Sequence, residues 1–293
     1  IFTGVVGRTA PLTNFSVGKA TLAVADAGVD ITTSYLESEG GQTYSGAVTL
    51  TQNTSLRTSS NGDISFSTSS STINGAFSLT TSTGIGDTTF SGAVGDSAPL
   101  TGLTITTGIL NAAAINLATG VPTALSITNS GTGTISGIIA GGSSGNLVTF
   151  TKAGAGTLTL SGANTYTGGT TITNGILQVT STGSLGNVGN SLTLTSTGSG
   201  NTATLNLENA LTVGSLSMGG SWGYEPTITK TDTTASSLNV TGTSTLAGSI
   251  TTNGTQTYAG AVTLGANTAL TATNSNISFS TSSSTINGAF SLT

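Results

Sequence analysis

An identical internal repeat constrains the fold of this 293-residue chain more than any other feature. Residues Ile64–Thr80 read ISFSTSSSTINGAFSLT, and residues Ile277–Thr293 repeat all seventeen of them at an offset of 213. Upstream, Gly41–Leu56 aligns with Gly254–Leu270, mostly at an offset of 214, so one residue has been lost between the two blocks. Similarity at a fixed offset is typical of proteins whose modules stack or form arrays.

A second similarity pairs Phe2–Val17 with Phe90–Ile105 at an offset of 88. We therefore expect a window, slightly longer than one super-repeat of roughly 213 residues, cut from a longer repeat protein. The alternative is a subunit whose ends join those of its neighbours. The expected modules are residues 1–40, 41–88, 89–129, 130–180, 181–253 and 254–293, the last a copy of 41–80.

Short stretches of apolar and β-branched residues recur between Gly, Asn and Ser along the whole chain. Their length and composition are typical of strands. No segment combines an apolar period of 3.6 residues with helix caps, and Asn111–Ala118 is the one candidate for a helical turn. The pattern predicts an all-β protein. The predicted strands are Ala47–Leu50, Leu103–Thr106, Leu147–Phe150, Thr157–Leu160, Thr170–Thr173, Ile176–Val179, Leu192–Thr195, Thr204–Leu207, Leu238–Val240 and Ala261–Leu264.

Composition decides between two all-β architectures. A sandwich needs a bulky interior about 10 Å thick, usually with aromatic anchors. Here the aromatic residues are only 5% of the chain, whereas Thr, Ser and Gly make up half of it. A solenoid has a thinner core, in which small aliphatic side chains stack inside while Thr, Ser and Asn line the outside. We therefore predict one continuous β-solenoid; coils of roughly 20 to 25 residues would give about 12 to 15 coils.

The charge and the missing residue types narrow the function. The chain has no His and no Cys, so thiolate chemistry, disulfides and zinc or iron–sulfur sites of the usual kind are excluded. A net charge of −5 argues against binding to a phosphate backbone, and no apolar run reaches the roughly 18 residues of a membrane helix. We expect no cofactor, no nucleic-acid partner and no membrane span within this chain.

One stretch carries a family signature. Residues Phe150–Val179 read FTKAGAGTLTLSGANTYTGGTTITNGILQV, with a Lys152-Ala-Gly-Ala-Gly turn, a Thr157-Leu-Thr-Leu strand and a glycine-rich corner ending at Gly169. This stretch closely resembles the autotransporter-associated β-strand repeat, also called the passenger-associated transport repeat, of large bacterial surface adhesins. With its leader Ile135–Val148 it covers about 45 residues. The resemblance implies a right-handed parallel β-helix with irregular loops, located extracellularly or at the cell surface.

Few residues are candidates for a functional site. The only dense group of carboxylates is Asp26, Asp30, Glu37 and Glu39, which a cation site or a carbohydrate-active enzyme would need, although a solvated loop explains them better. The segment 222–226, WGYEP, holds the only Trp; it is either a sugar-stacking platform or a loop packed on the side of the solenoid. Tyr166 either stacks on an aromatic in the adjacent coil or caps the core edge. No catalytic, cofactor or metal residue is assigned.

The leading hypothesis is a structural or adhesive extracellular protein, a solenoid stalk or filament at the cell surface or in a biofilm matrix, and not an enzyme. Its expected partners are copies of itself, joined end to end or laterally, or host and neighbouring cell surfaces and their polysaccharide. The alternatives are a carbohydrate-active β-helix enzyme and a carbohydrate-binding module that uses Trp222 and Tyr224.

Overall fold

A computed structural model describes residues 15–17, 22–24, 29–198, 200, 202–221, 223–230, 236–280 and 285–293. Over these residues the chain forms strands and turns without a helix, and the strands stack in parallel as a β-solenoid of about 11 turns. The all-β solenoid prediction is thereby confirmed. The chain divides into two compact units, residues 1–148 and 149–293.

The strands of the first unit are β1 (Phe15–Val17), β2 (Leu22–Val24), β3 (Val29–Ile31), β4 (Tyr35–Ser38), β5 (Gln42–Tyr44), β6 (Val48–Leu50), β7 (Thr54–Thr58), β8 (Ile64–Phe66), β9 (Ile73–Asn74), β10 (Ser78–Ser82), β11 (Thr88–Phe90), β12 (Gly102–Thr107), β13 (Leu110–Ala112), β14 (Ile115–Asn116), β15 (Thr123–Asn129), β16 (Gly133–Ile135) and β17 (Ile139–Ala140). Successive strands fall into three parallel stacks. Stack A contains β1, β4, β7, β10, β12 and β15; stack B contains β2, β5, β8, β11, β13 and β16; stack C contains β3, β6, β9, β14 and β17. In stack C, Val94 bridges Ile73 of β9 to Ile115 of β14.

In these stacks, equivalent positions of successive coils are occupied by similar residues, because each coil presents the same side of its strand to the core. One column in stack C contains aliphatic side chains alone, all 0–1% exposed: Val48, Ile73, Val94, Ile115 and Ile139. Stack B has an aromatic column instead, in which the rings of Tyr44, Phe66 and Phe90 stack with centroid separations of 4.6 and 5.3 Å. The narrow core is therefore filled by columns that run from coil to coil.

The strands of the second unit are β18 (Val148–Ala153), β19 (Thr157–Leu160), β20 (Thr170–Ile172), β21 (Gly175–Val179), β22 (Ser191–Ser196), β23 (Ala203–Leu207), β24 (Ala210–Val213), β25 (Ser215–Gly220), β26 (Thr227–Thr229), β27 (Ser237–Val240), β28 (Ser244–Thr252), β29 (Gln256–Tyr258), β30 (Val262–Ala272), β31 (Ile277–Phe279) and β32 (Ile286–Asn287). They also form three parallel stacks. Stack D contains β18, β20, β22, β25, the first parts of β28 and β30, and β32; stack E contains β19, β21, β23, β26 and the second parts of β28 and β30; stack F contains β24, β27, β29 and β31.

Side chains alternate between core and surface along each strand, as the sequence pattern predicts. In β19, Leu158 and Leu160 are fully buried, while Thr157 and Thr159 point outward and are half-buried. Each of the ten predicted strands overlaps an observed one.

Two expectations were wrong. Asn111–Ala118 is not helical but contributes to β13 and β14, because Ala112 and Ile115 are buried in the core and the amide of Ala113 donates to the carbonyl of Phe90 in the preceding coil. The expected 12 to 15 coils are about 11. Some coils are longer than expected: Leu216 pairs with Ser244, 28 residues further along the chain.

Candidate functional site

The predicted acidic cluster does not assemble among the described residues. Asp26 lies outside them. Asp30 is exposed in β3 of stack C, whereas Glu37 lies in β4 of stack A and Glu39 in the turn that follows β4. An oxygen of Glu37 lies 4.0 Å from Nε of Arg57, a long ion pair whose arginine side chain is 54% exposed and which is therefore weak. No group of three or more acidic residues that could hold a metal occurs in the part of the chain that the structure describes.

Lys152, the lysine of the family signature, is completely buried in β18. Its ammonium group donates to the carbonyl oxygens of Ala153 and Gly154, each at 2.8 Å, and of Asn174 at 3.2 Å. Because burial disfavours the charged form, the pKa of Lys152 falls to about 8. The three carbonyls belong to turns of two successive coils, so one side chain fastens both corners. This role was not expected from the sequence.

Tyr166 lies in the core rather than on a surface. It is fully buried, its ring meets that of Phe150 edge-on at 6.0 Å, and its hydroxyl lies 2.6 Å from the Thr170 hydroxyl. Burial raises the pKa of Tyr166 above its usual range. The ring contact is edge-on and lies within one coil, whereas the two predictions for this residue were a stack on an aromatic in the adjacent coil and a cap at the core edge.

Buried glutamines form a second polar feature that sequence reasoning missed. Nε2 of Gln42 donates to the Arg57 carbonyl at 2.7 Å, and its Oε1 accepts the Tyr44 hydroxyl at 2.9 Å. In the other copy of the repeat, Nε2 of Gln256 donates to the Thr271 carbonyl at 2.8 Å, and its Oε1 accepts the Tyr258 hydroxyl at 3.0 Å. The shared Gln-Thr-Tyr triplet was the available signal, because an identical polar residue at both copies of an inward-facing position needs a partner.

The aromatic segment 222–226 joins stack D to stack E. Trp222 lies outside the described residues, so the prediction that it forms a sugar platform remains untested. Tyr224 is 37% exposed and forms an antiparallel bridge to Ser221. Residues 223–226 therefore belong to a loop between β25 and β26, with Tyr224 at the surface and Pro226 buried.

An open cleft of about 300 Å³ lies beside this loop. Three glycines leave much of its wall as bare backbone, and Phe290, 41% exposed, forms part of its rim. One carboxylate oxygen of Glu225, Oε2, is buried there without a hydrogen-bond partner among the described residues. The lining residues are Gly220, Gly223, Glu225, Gly265, Ala266, Asn267 and Phe290.

The described residues contain no helix that is both long and apolar enough to cross a membrane.

Comparison with known proteins agrees with the signature read from the sequence. The family described as passenger-associated-transport-repeat matches residues 150–179. The chain is also 42% identical over 90 residues to the adhesin BmaC autotransporter of Brucella suis biovar 1 (strain 1330), a match covering 30% of this chain and 2% of that protein. No solved structure matches the chain significantly. Both matches support an extracellular or cell-surface location. The chain is therefore a repeat protein that carries a passenger-associated transport repeat at residues 150–179 and resembles an autotransporter adhesin over 30% of its length.

Proposed function

We propose that this chain is part of an adhesive protein displayed outside the bacterial cell, in which the solenoid acts as a scaffold for surface loops. The passenger-associated transport repeat at residues 150–179 carries the proposal, because it forms regular coils of the second unit. The named relative is an autotransporter adhesin. Catalysis plays no part in this function.

The scaffold role follows from how the coils bond. Within each unit, successive strands of a stack are hydrogen-bonded in parallel, through the isolated bridges of Val94 between β9 and β14, so a coil cannot leave without breaking pairings on both sides. Charged residues make up only 5% of the chain, and outward positions carry mainly Thr, Ser and Asn. Such a surface supplies many hydroxyl and amide groups for weak, repeated contacts.

Adhesion is tested with beads coated with the purified chain and applied to cultured epithelial cells and to abiotic surfaces. Retention well above that of beads coated with serum albumin is the expected result. Equal retention of both bead types on every surface would refute the adhesive role.

The finer proposal is a stalk or filament made of copies of this chain, joined end to end or laterally. It rests on the strand stacking within each unit, which presents backbone groups at any coil that no other coil covers. Negative-stain electron microscopy of the purified chain would show continuous threads whose length grows with concentration. Discrete particles at every concentration would refute self-assembly.

We also infer that the chain does not cleave polysaccharides. The carboxylates considered for this role lie on different stacks where the structure describes them, with Asp30 in stack C and Glu37 in stack A. Incubation with a panel of acidic polysaccharides, with and without calcium, should release no new reducing ends. Release that is abolished by Asp30→Ala or Glu37→Ala would overturn the inference.

A further inference from the structure

The two copies of the repeat differ in one corner, and the difference opens the cleft. Asn53 in the first copy and Asn267 in the second occupy equivalent positions and make the same contact. Oδ1 of Asn53 accepts the Ser78 amide at 2.9 Å, and Oδ1 of Asn267 accepts the Ser291 amide at 3.1 Å. The same contact therefore holds the asparagine in both copies, although residues 51–53 lie between two strands and residues 265–267 lie within the continuous strand β30.

The two residues before this asparagine are not conserved between the copies. In the first copy, Oγ1 of Thr51 donates to the Ile31 carbonyl at 3.2 Å, and Nε2 of Gln52 donates to the Thr32 carbonyl. These side chains cover the corner of the preceding coil. The second copy has Gly265 and Ala266 instead, which leave that corner open beside the loop that carries Glu225.

The open corner brings together three groups of different chemistry. Oε2 of Glu225 is a buried acceptor without a partner among the described residues. Asn267 uses its Oδ1 for the backbone and hydroxyl of Ser291, while its Nδ2, a donor, bonds no group in the described part of the chain. Phe290 adds an exposed aromatic ring at the rim. Because Glu225 lines the cleft, its carboxylate can accept a hydrogen bond from a ligand that supplies a donor.

We propose that this cleft binds one ring of a saccharide. One sugar hydroxyl donates to the carboxylate of Glu225, which lines the cleft, and another accepts from Nδ2 of Asn267, because a hydroxyl group can do either. The C–H groups of the ring pack on Phe290. The volume of about 300 Å³ lies at the lower end of the roughly 300–1,000 Å³ of small-ligand pockets, which suits one ring rather than an oligosaccharide.

An organic ammonium ion is the competing ligand, since an unpaired carboxylate attracts a cation. The observations favour the sugar, because an ammonium group has donors but no acceptor and would face the Nδ2 donor of Asn267 unpaired. The biological use of this binding rests on the proposed adhesive function. Saccharide binding itself can be measured on the purified chain, whether or not the chain is adhesive.

The test measures amide chemical shifts of the purified chain during titration with the methyl glycosides of glucose, galactose, mannose and N-acetylglucosamine. Saturable shifts at Gly265, Ala266 and Gly220 with at least one glycoside are the expected result. Glu225→Ala should weaken that binding about tenfold or more, the loss expected for a hydrogen bond to a carboxylate. Asp30→Ala, which removes an exposed carboxylate in the other unit, is the matched control and should leave the affinity unchanged.

A second variant fills the cleft without removing the carboxylate. Gly265→Thr combined with Ala266→Gln introduces here the residues that the first copy has as Thr51 and Gln52. A Cβ at Gly265 would lie 3.3 Å from Cγ2 of Thr245, which a small shift of that side chain relieves. The filled variant should keep the circular dichroism spectrum of the parent and lose glycoside binding.

Three outcomes overturn the proposal: no saturable shift with any glycoside, binding that survives both variants, or saturation by methylammonium chloride alone. The adhesion assay is read separately. Adhesion that persists in the filled variant leaves the adhesive function standing and limits the cleft to an accessory role, whereas glycoside binding without adhesion refutes the adhesive function and retains the cleft.

Discussion

The ammonium group of Lys152 lies 3.2 Å from the carbonyl oxygen of Asn174, which belongs to the turn one coil further along the second unit. The same group also bonds the two carbonyls that follow Lys152 in its own turn. A buried charge is normally tolerated only when it is paired with an opposite charge or fully hydrogen-bonded. Three carbonyl dipoles meet the second condition here, and together they tie neighbouring corners of the passenger-associated transport repeat.

Removing this lysine should destabilise the fold. Lys152→Met keeps most of the length of the side chain but leaves three partly buried carbonyl oxygens without their donor, at an expected cost of about 1–3 kcal/mol in the free energy of unfolding. Guanidinium unfolding followed by far-UV circular dichroism measures the loss. Lys230→Met is the matched control, because Lys230 is only half-buried and bonds one side chain, Asn253. An equal loss in both variants would contradict the fastening role of Lys152.

Stability should also depend on pH in a specific way. The pKa of Lys152 is about 8 in the folded chain and 10.5 when exposed, so between these values the unfolded chain holds a proton that the folded chain has released. Stability therefore rises with pH across this window, by up to about 3 kcal/mol. Urea unfolding at several pH values measures the rise, and Lys152→Met should abolish it.

Above about pH 10 the trend should reverse. The pKa values of Tyr44, Tyr166 and Tyr258 are raised by burial, so these tyrosines stay protonated in the folded chain when they ionise in the unfolded one. Stability is then lost as the pH increases. The same urea series should show a maximum near pH 10, and a steady rise beyond it would contradict the burial of these hydroxyl groups.

The duplicated block supplies a matched pair for the aromatic column. Phe66 is fully buried between Tyr44 and Phe90, so Phe66→Ala should cost about 3–5 kcal/mol. Its copy, Phe279, stacks on Tyr258 as its one ring partner among the described residues and is half-buried, so Phe279→Ala should cost roughly 1–2 kcal/mol. Thermal or guanidinium unfolding of both variants gives the comparison. An equal loss of unfolding free energy in both variants would show that ring stacking on both faces of Phe66 adds nothing to stability.

The buried Gln-Tyr pair can be tested by a double-mutant cycle. Gln42→Leu removes the donor to the Arg57 carbonyl and the acceptor of the Tyr44 hydroxyl, and should cost about 2 kcal/mol. Adding Tyr44→Phe removes the stranded hydroxyl, so the double variant should be more stable than the sum of the two single losses implies. Strict additivity would mean that the two side chains do not interact.

The sequence predicted those features of the fold that depend on local pattern. Alternation at Thr157–Leu160 has a period of two, which fixes the buried side without any knowledge of neighbours. The alanines of Asn111–Ala118 suggested a helical turn because Ala is the best helix former, yet Ala112 pairs with Phe90 of the preceding coil and is buried in strand β13. At these residues the stacking of strands between coils outweighs the helix propensity of alanine.

The candidate sites could not be predicted in the same way, since they depend on which residues of different coils meet. The cleft requires Glu225, Gly265 and Phe290, which lie in separate coils and share no spacing in the sequence. The contact of Lys152 with Asn174 likewise needs the register of two turns. The sequence contained one indication of the cleft. Asn53 recurs as Asn267 in the second copy of the repeat, whereas the two residues before it differ between the copies.

The aliphatic column of stack C, from Val48 to Ile139, bears on how a gene for such a protein changes length. Each member rests on a neighbour of nearly the same shape, so deleting or inserting one whole coil by unequal recombination joins equivalent surfaces and creates no cavity. A change of half a coil would instead place a corner against a strand. Viable length variants of this protein should therefore differ by whole coils.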